Sequence, residues 1–156
     1  MILRRRALLF APIILCSLAN AQTNVLSVAT GDVIKAKAGS TLSAKVTLNL
    51  RQGYHVNSDM PSDEYLIPIK LTWNPGVFTA SSVAYPKAKM EKMPFQEKPL
   101  SVYTGDFDIV TNFKVSPTAT PGPTAVTGKL RYQACNDRMC LAPKTIDVAL
   151  QVDIVK

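Results

Sequence analysis

The segment Thr41-Leu-Ser-Ala-Lys-Val-Thr-Leu-Asn-Leu50 alternates polar and apolar residues without a break. Its apolar residues occupy the even-numbered positions. In an extended chain they would all lie on one face, because successive side chains of a strand point to opposite faces. An amphipathic helix would instead repeat its apolar residues every three to four positions. The segment therefore predicts a β-strand with one buried and one exposed face.

The same period of two predicts strands in other parts of the chain. It is clear in residues 126–134 and 146–154 and weaker in four further segments: 24–28, 67–73, 77–84 and 107–115. Turns rich in Gly, Pro and Asn separate about seven such strands, and we predict no amphipathic helix beyond residue 21. This pattern favours an all-β fold, an immunoglobulin-like antiparallel β-sandwich, with a small barrel as the alternative.

Residues 86–99 interrupt the strand pattern. They have no apolar period and contain three prolines and four lysines. A long connection of this kind is either a functional loop or a merely solvated one. We predict a loop here and leave both readings open on composition alone.

The N-terminal residues have the organisation of a cleaved signal peptide. A cationic start, Met1-Ile-Leu-Arg-Arg-Arg6, precedes an apolar run over residues 7–19 that is too short to cross a bilayer permanently. The small residues of Ala19-Asn-Ala21 predict cleavage after this tripeptide. Cleavage there would remove Cys16 and leave Gln22 at the mature N-terminus.

We therefore expect a signal peptide over residues 1–21 and a single exported domain over residues 22–156, in the periplasm or secreted. Two alternatives are a retained membrane anchor and lipidation at Cys16. Lipidation needs a small residue before the cysteine, and Leu15 stands there instead.

The charge of the mature domain excludes few functions. The whole chain carries 18 basic and 11 acidic residues, and loss of the three signal-peptide arginines lowers the formal net charge from +7 to +4. The chain has no cluster of Lys and Arg interleaved with aromatic residues, so we expect no nucleic-acid partner. Beyond residue 21 no apolar run is long enough to span a membrane.

Cys135 and Cys140, the two cysteines that would survive cleavage, flank the turn-forming loop Asn136-Asp-Arg-Met139. Residues at the base of a hairpin lie opposite each other, so a disulfide between them is geometrically easy. Counting by twos along each strand, however, places Cys135 on the polar face and Cys140 on the apolar face, although paired residues must share a face. We expect a bulge or bend at Pro143, which cannot donate to a strand ladder, to restore the pairing.

Three chemical roles are compatible with this cysteine pair. The first is a structural staple. Closing so short a loop contributes only about 2 kcal/mol in the chain-entropy model, which favours the second role, an exchangeable disulfide. Cu(I) binding by the two thiolates with Met139, His55 or the Met90-Glu-Lys-Met93 pair is another. We expect no zinc site and no other cofactor, because one histidine and two cysteines are too few ligands for a closed tetrahedral site.

The motif Tyr132-Gln133-Ala134-Cys135, followed by Cys140 and Pro143, resembles the redox hairpin of the N-terminal periplasmic domain of the thiol:disulfide interchange protein DsbD. The resemblance also covers Gly53-Tyr-His-Val-Asn-Ser58 with Leu66-Ile-Pro68, and Val102-Tyr-Thr-Gly105. It departs from the best-known members in having one residue fewer between the cysteines and only one of two prolines after them. The fold that the resemblance implies is again an immunoglobulin-like sandwich.

The function that this resemblance implies is electron relay. A separate membrane-embedded donor would reduce the cysteine pair, which would pass electrons to exported thioredoxin-like proteins through mixed disulfides. Cys140 would be the attacking thiol and Cys135 the resolving thiol. Tyr132, Gln133 and Pro143 would support the pair, and Phe95 would match the family's shielding cap. The alternative from a different class is a non-catalytic interaction domain with an inert disulfide, and Cu(I) binding is the third hypothesis.

Overall fold

The computed structural model describes residues 24–94 and 97–156, and these residues form strands and turns without a helix. The twelve strands in this part of the chain are β1 (Leu26–Val28), β2 (Ile34–Lys37), β3 (Thr41–Leu50), β4 (His55–Asn57), β5 (Lys70–Trp73), β6 (Phe78–Ala84), β7 (Lys89–Glu91), β8 (Leu100–Thr104), β9 (Phe107–Val115), β10 (Gly122–Tyr132), β11 (Ala134–Cys135) and β12 (Lys144–Val155).

Two four-stranded sheets pack face to face as a sandwich. Their strand orders are β1-β3-β9-β6 and β2-β12-β10-β5, and neighbours pair antiparallel except for the parallel pair β2–β12. Trp73 of one sheet meets Phe113 of the other edge to face, with ring centroids 5.1 Å apart. The Trp73 indole also donates to Thr111 Oγ1 across the core at 3.0 Å. The predicted immunoglobulin-like antiparallel β-sandwich is therefore confirmed.

A third sheet has the strand order β11-β4-β8-β7. One face of this sheet packs against the sandwich. Val56, Tyr103 and Ala134 on that face belong to the main core. Val102 lies on the opposite face, because alternate residues of a strand point to opposite sides. It belongs to a second buried cluster, whose members are Leu66, Met93, Leu100 and Val102. The third sheet is thus buried on both faces, and its edge strand β11 carries Cys135.

Two strands have the bounds that the sequence pattern predicts, since the segments predicted at 41–50 and 107–115 coincide with β3 and β9. The predicted number of about seven strands was too low. The loop predicted over residues 86–99 was wrong in part, because it contains β7. Within residues 24–94 and 97–156 this strand pairs only with β8, at a sheet edge. Met90 at its centre is exposed, so the strand has no apolar alternation that would predict it.

Candidate functional site at the cysteine hairpin

Cys135 and Cys140 form a disulfide with an S–S distance of 2.03 Å, and their Cα atoms are 3.9 Å apart. The two residues are bridge partners in an antiparallel hairpin. Backbone hydrogen bonds enclose the pair on both sides, from the Asn136 amide to the Met139 carbonyl (2.9 Å) and from the Leu141 amide to the Ala134 carbonyl (2.8 Å). The cysteines therefore occupy a directly opposed, non-hydrogen-bonded position, where side chains come closest.

The pairing between the two strands shifts by one residue just before the disulfide. The regular ladder of β10 and β12 ends at Tyr132 and Lys144, and pairing resumes at Cys135 and Cys140. Two residues on the first strand thus lie opposite three on the second, residues 141–143. The extra residue lies in the segment that contains Pro143, so the expected change of register in this part of the second strand is confirmed.

Counting by twos along each strand does not give the observed exposure of either cysteine. Cys135 is buried, with 1% of its surface exposed, whereas Cys140 is exposed. Counting by twos fails because the first strand leaves the β10–β12 ladder after Tyr132 and joins β4 in the third sheet. Gln133 lies at this change, and its side-chain amide donates to the Leu141 carbonyl at 3.1 Å. The result is a disulfide with one buried and one accessible end.

The turn between the cysteines is held by Asn136. Its Oδ1 accepts hydrogen bonds from the backbone amides of Arg138 and Met139, both at 2.9 Å. A side chain that bonds backbone amides two and three residues later fixes a tight turn. The Met139 side chain, 59% exposed, therefore projects beside Cys140 at an ordered hairpin tip.

His55, the sole histidine of the sequence, is the register partner of Cys135 on β4. Its side chain is buried, with 4% of the residue exposed, and Nε2 has no hydrogen-bond partner among the described residues. Burial lowers the pKa of His55, while the charges of Glu91 and Asp137 act in the opposite direction. A neutral imidazole thus stands beside the buried cysteine.

An open cleft of about 400 Å³ lies beside this histidine. Glu91 of β7 and Asp137 of the hairpin turn both line it. The remaining lining residues are Leu50, Gln52, Gly53, Tyr54, Met93, Thr104 and Gly105. The cleft therefore brings three separate parts of the chain to the cysteine hairpin, and sequence spacing gave no sign of this.

The other predicted site residues have different surroundings. Tyr132 is buried in the main core, and Pro143 is exposed. Phe95, the predicted cap, lies outside the described residues, but Met93 two positions earlier is buried against the third sheet in the second cluster. Among residues 24–94 and 97–156 there is no group of three or more His, Cys, Asp or Glu side chains that could hold a metal ion. The same residues contain no helix long and apolar enough to cross a membrane.

We expect the domain to lose stability as the pH falls below about 6.5, the ordinary pKa of histidine. The folded-state pKa of His55 is lowered, so the unfolded chain binds the proton first. The stability is therefore complete above 6.5 and decreases as the pH falls towards the lowered value. Urea unfolding between pH 8 and pH 5.5 should show this decrease in the wild type and a smaller one in His55→Gln. If the free energy of unfolding decreases equally with pH in the wild type and in His55→Gln, His55 is not the group that causes the decrease.

Comparison with known proteins places this hairpin in a family. A family model described as "Thiol:disulfide interchange protein DsbD, N-terminal" matches residues 22–152. No curated protein sequence matches the chain significantly.

The solved structures that match this chain include the following two. The N-terminal periplasmic domain of ScsB from Proteus mirabilis is 12% identical with a TM-score of 0.51, and the match covers 83% of this chain and 44% of that one. The chain thus spans less than half the length of the ScsB structure. The Neisseria meningitidis DsbD N-terminal domain in the reduced form is 15% identical with a TM-score of 0.47, and the match covers 70% of this chain and 76% of that one.

The family match extends over most of the sequence and includes the whole cysteine hairpin. The chain therefore belongs to the family of DsbD N-terminal domains, whose parent protein acts in thiol:disulfide interchange.

Proposed function

We propose that this chain is an exported thiol:disulfide exchange module that relays electrons through Cys135 and Cys140. The observation that carries the proposal is the asymmetry of the disulfide, in which Cys140 is exposed and Cys135 is buried. Exchange requires one sulfur that a partner can reach. A protected second sulfur then completes the reaction within the same molecule. A structural staple has no need of this difference.

The exchange proceeds in two balanced steps. In the reduced domain, the Cys140 thiolate attacks one sulfur of the partner's disulfide, forms a mixed disulfide and releases the partner's other sulfur as a thiolate, which takes up a proton. The Cys135 thiol then loses its proton and attacks Cys140 Sγ. The intermolecular bond breaks, the Cys135–Cys140 disulfide forms, and the partner leaves with two thiols and two additional electrons.

The surroundings of the pair support this mechanism. Gln133 ties the two strands together beside the disulfide through its bond to the Leu141 carbonyl, and the irregular segment that ends at Pro143 sets the register of Cys140. Tyr132 anchors the hairpin in the core. We assign Phe95 as a cap that a docking partner displaces, since the chain just before it is held against the third sheet by Met93.

We base the proposed location and partners of the module on its family. We place it in the periplasm, with a signal peptide over residues 1–21 and one domain over residues 22–156; the family match begins at residue 22. The electron acceptors would be exported thioredoxin-like proteins. The donor would be a separate membrane protein.

The test is trapping of the mixed disulfide. With Cys135→Ala, the resolving step cannot occur, so Cys140 should accumulate covalent adducts with exported thioredoxin-like proteins. Non-reducing electrophoresis and mass spectrometry of the purified adducts would identify them. Cys140→Ala is the matched control, because it keeps one cysteine of the pair and should give few adducts or none.

Two results would contradict the relay. One is an equal yield of adducts from the two variants. The other is a reduction potential of the mature domain below about −300 mV, which is typical of a structural disulfide. Either result would favour an interaction domain with an inert bond.

A further inference from the structure

The unpartnered Nε2 of His55 is the feature of the site that the two-step exchange leaves unexplained. The atom is buried and has no hydrogen-bond partner among the described residues. Buried polar atoms in folded proteins are nearly always hydrogen-bonded, so an exception requires a reason. A hydrogen-bond donor that is present only in another redox state of the protein would be such a reason.

Cys135 is placed to be that partner. It is directly opposite His55 in the antiparallel pairing of β11 and β4. Side chains of directly opposed residues lie on the same face, with Cβ atoms about 4.5–5.5 Å apart. In the disulfide, Cys135 Sγ carries no proton. After reduction it carries one, and the thiol can donate to the imidazole.

The charges around the imidazole suit a group that takes up a proton briefly. Burial keeps His55 neutral, while the carboxylates of Glu91 on β7 and Asp137 in the hairpin turn both favour the protonated ring. On the neighbouring strand β8, the register partner of His55 is Thr104, and its hydroxyl accepts a hydrogen bond from Lys89 Nζ at 3.1 Å. The imidazole is therefore neutral and can accept a proton, and the two carboxylates would stabilise the protonated ring.

We propose that His55 Nε2 accepts the proton of the Cys135 thiol during the resolving step. As the proton moves to the imidazole, the Cys135 sulfur attacks Cys140 Sγ, the bond from Cys140 to the partner breaks, and the partner sulfur leaves as a thiolate. The imidazolium then returns its proton to that thiolate or to water. This inference rests on the proposed exchange function and adds a residue that acts in the second step alone.

The test separates the two steps with oxidised glutathione. The reduced protein is mixed with glutathione disulfide and quenched with acid, and intact mass spectrometry follows the Cys140–glutathione adduct and its conversion to the Cys135–Cys140 disulfide. We expect His55→Gln to form the adduct within about twofold of the wild-type rate. It should resolve the adduct at least about tenfold more slowly, because a general base usually contributes a factor of about 10²–10⁴. Thr104→Val, which changes the other register partner of His55, should resolve the adduct within about twofold of the wild type.

The pH profile distinguishes proton transfer from a structural effect. In the wild type, the resolving rate should be nearly level from about pH 6.5 to pH 8. In His55→Gln it should rise about tenfold per pH unit, because only the thiolate fraction then reacts. Added imidazole, which can enter through the open cleft, should restore the resolving rate of His55→Ala. If His55→Gln folds poorly, this rescue tests the role of His55 in its place.

Unchanged resolution in His55→Gln, or a wild-type rate that follows the thiolate fraction, would overturn the role of His55 and leave the exchange function intact. If the reduced wild type forms neither the Cys140–glutathione adduct nor the Cys135–Cys140 disulfide, the exchange function is overturned, and the inference with it.

Discussion

In the fully reduced protein, iodoacetamide is expected to alkylate Cys140 at least about 100-fold faster than Cys135. Cys140 is exposed at the hairpin, whereas 1% of Cys135 is exposed and its strand is paired with β4 in the third sheet. A reagent can reach Cys135 only when the hairpin opens. An opening free energy of about 3 kcal/mol, common for local motions, reduces the reactive population about 100-fold. Peptide mapping of timed alkylation measures both rates in one sample.

The single-cysteine variants give the matched controls for this experiment. Cys135→Ala should retain the fast rate of Cys140, and Cys140→Ala should retain the slow rate of Cys135. In urea above the unfolding transition, the two rates should become similar, because the difference comes from the fold rather than from the local sequence. Similar rates under native conditions would mean that both sulfurs are equally accessible, and the assignment of distinct roles would then be wrong.

The part of this site that local sequence could predict is the hairpin itself. Cys135 and Cys140 are close in the chain and are joined by a turn-forming segment, so their pairing needed no knowledge of the rest of the fold. The alternation of residues 41–50 likewise depends on one strand and one buried face. Both kinds of feature are set by interactions between near neighbours or by a simple repeating pattern.

The features that sequence could not predict depend on long-range register. The proximity of His55 to Cys135 arises because a two-residue strand joins a three-residue strand some eighty positions earlier. Strands this short have no measurable period. Gln133 and residues 141–143 also interrupt the count by twos, so this count assigns Cys135 and Cys140 the reverse of their observed exposures. The third sheet explains the proximity of His55 to Cys135, and the register shift in residues 141–143 contributes to the failed count.

Phe113→Ala is expected to lower the free energy of unfolding by about 3–5 kcal/mol, the usual cost of removing a fully buried aromatic side chain. Phe113 is 0% exposed and lies between Trp73 of the facing sheet and Phe78 of its own sheet, with centroid distances of 5.1 and 6.3 Å. A small domain has only about 5–15 kcal/mol of stability, so this loss is a large share of the total. Urea unfolding followed by the fluorescence of Trp73, the single tryptophan, measures it.

The control is Val33→Ala, because Val33 is 62% exposed and should change stability by no more than about 0.5 kcal/mol. The Cys140 alkylation rate should be the same in Phe113→Ala as in the wild type, because Cys140 is accessible without unfolding. Faster alkylation of Cys135 in this variant would show that Cys135 now becomes exposed through global rather than local unfolding. A stability loss below about 1 kcal/mol would mean that the two sheets do not depend on Phe113 for their packing, contrary to the contacts that it makes across the sandwich.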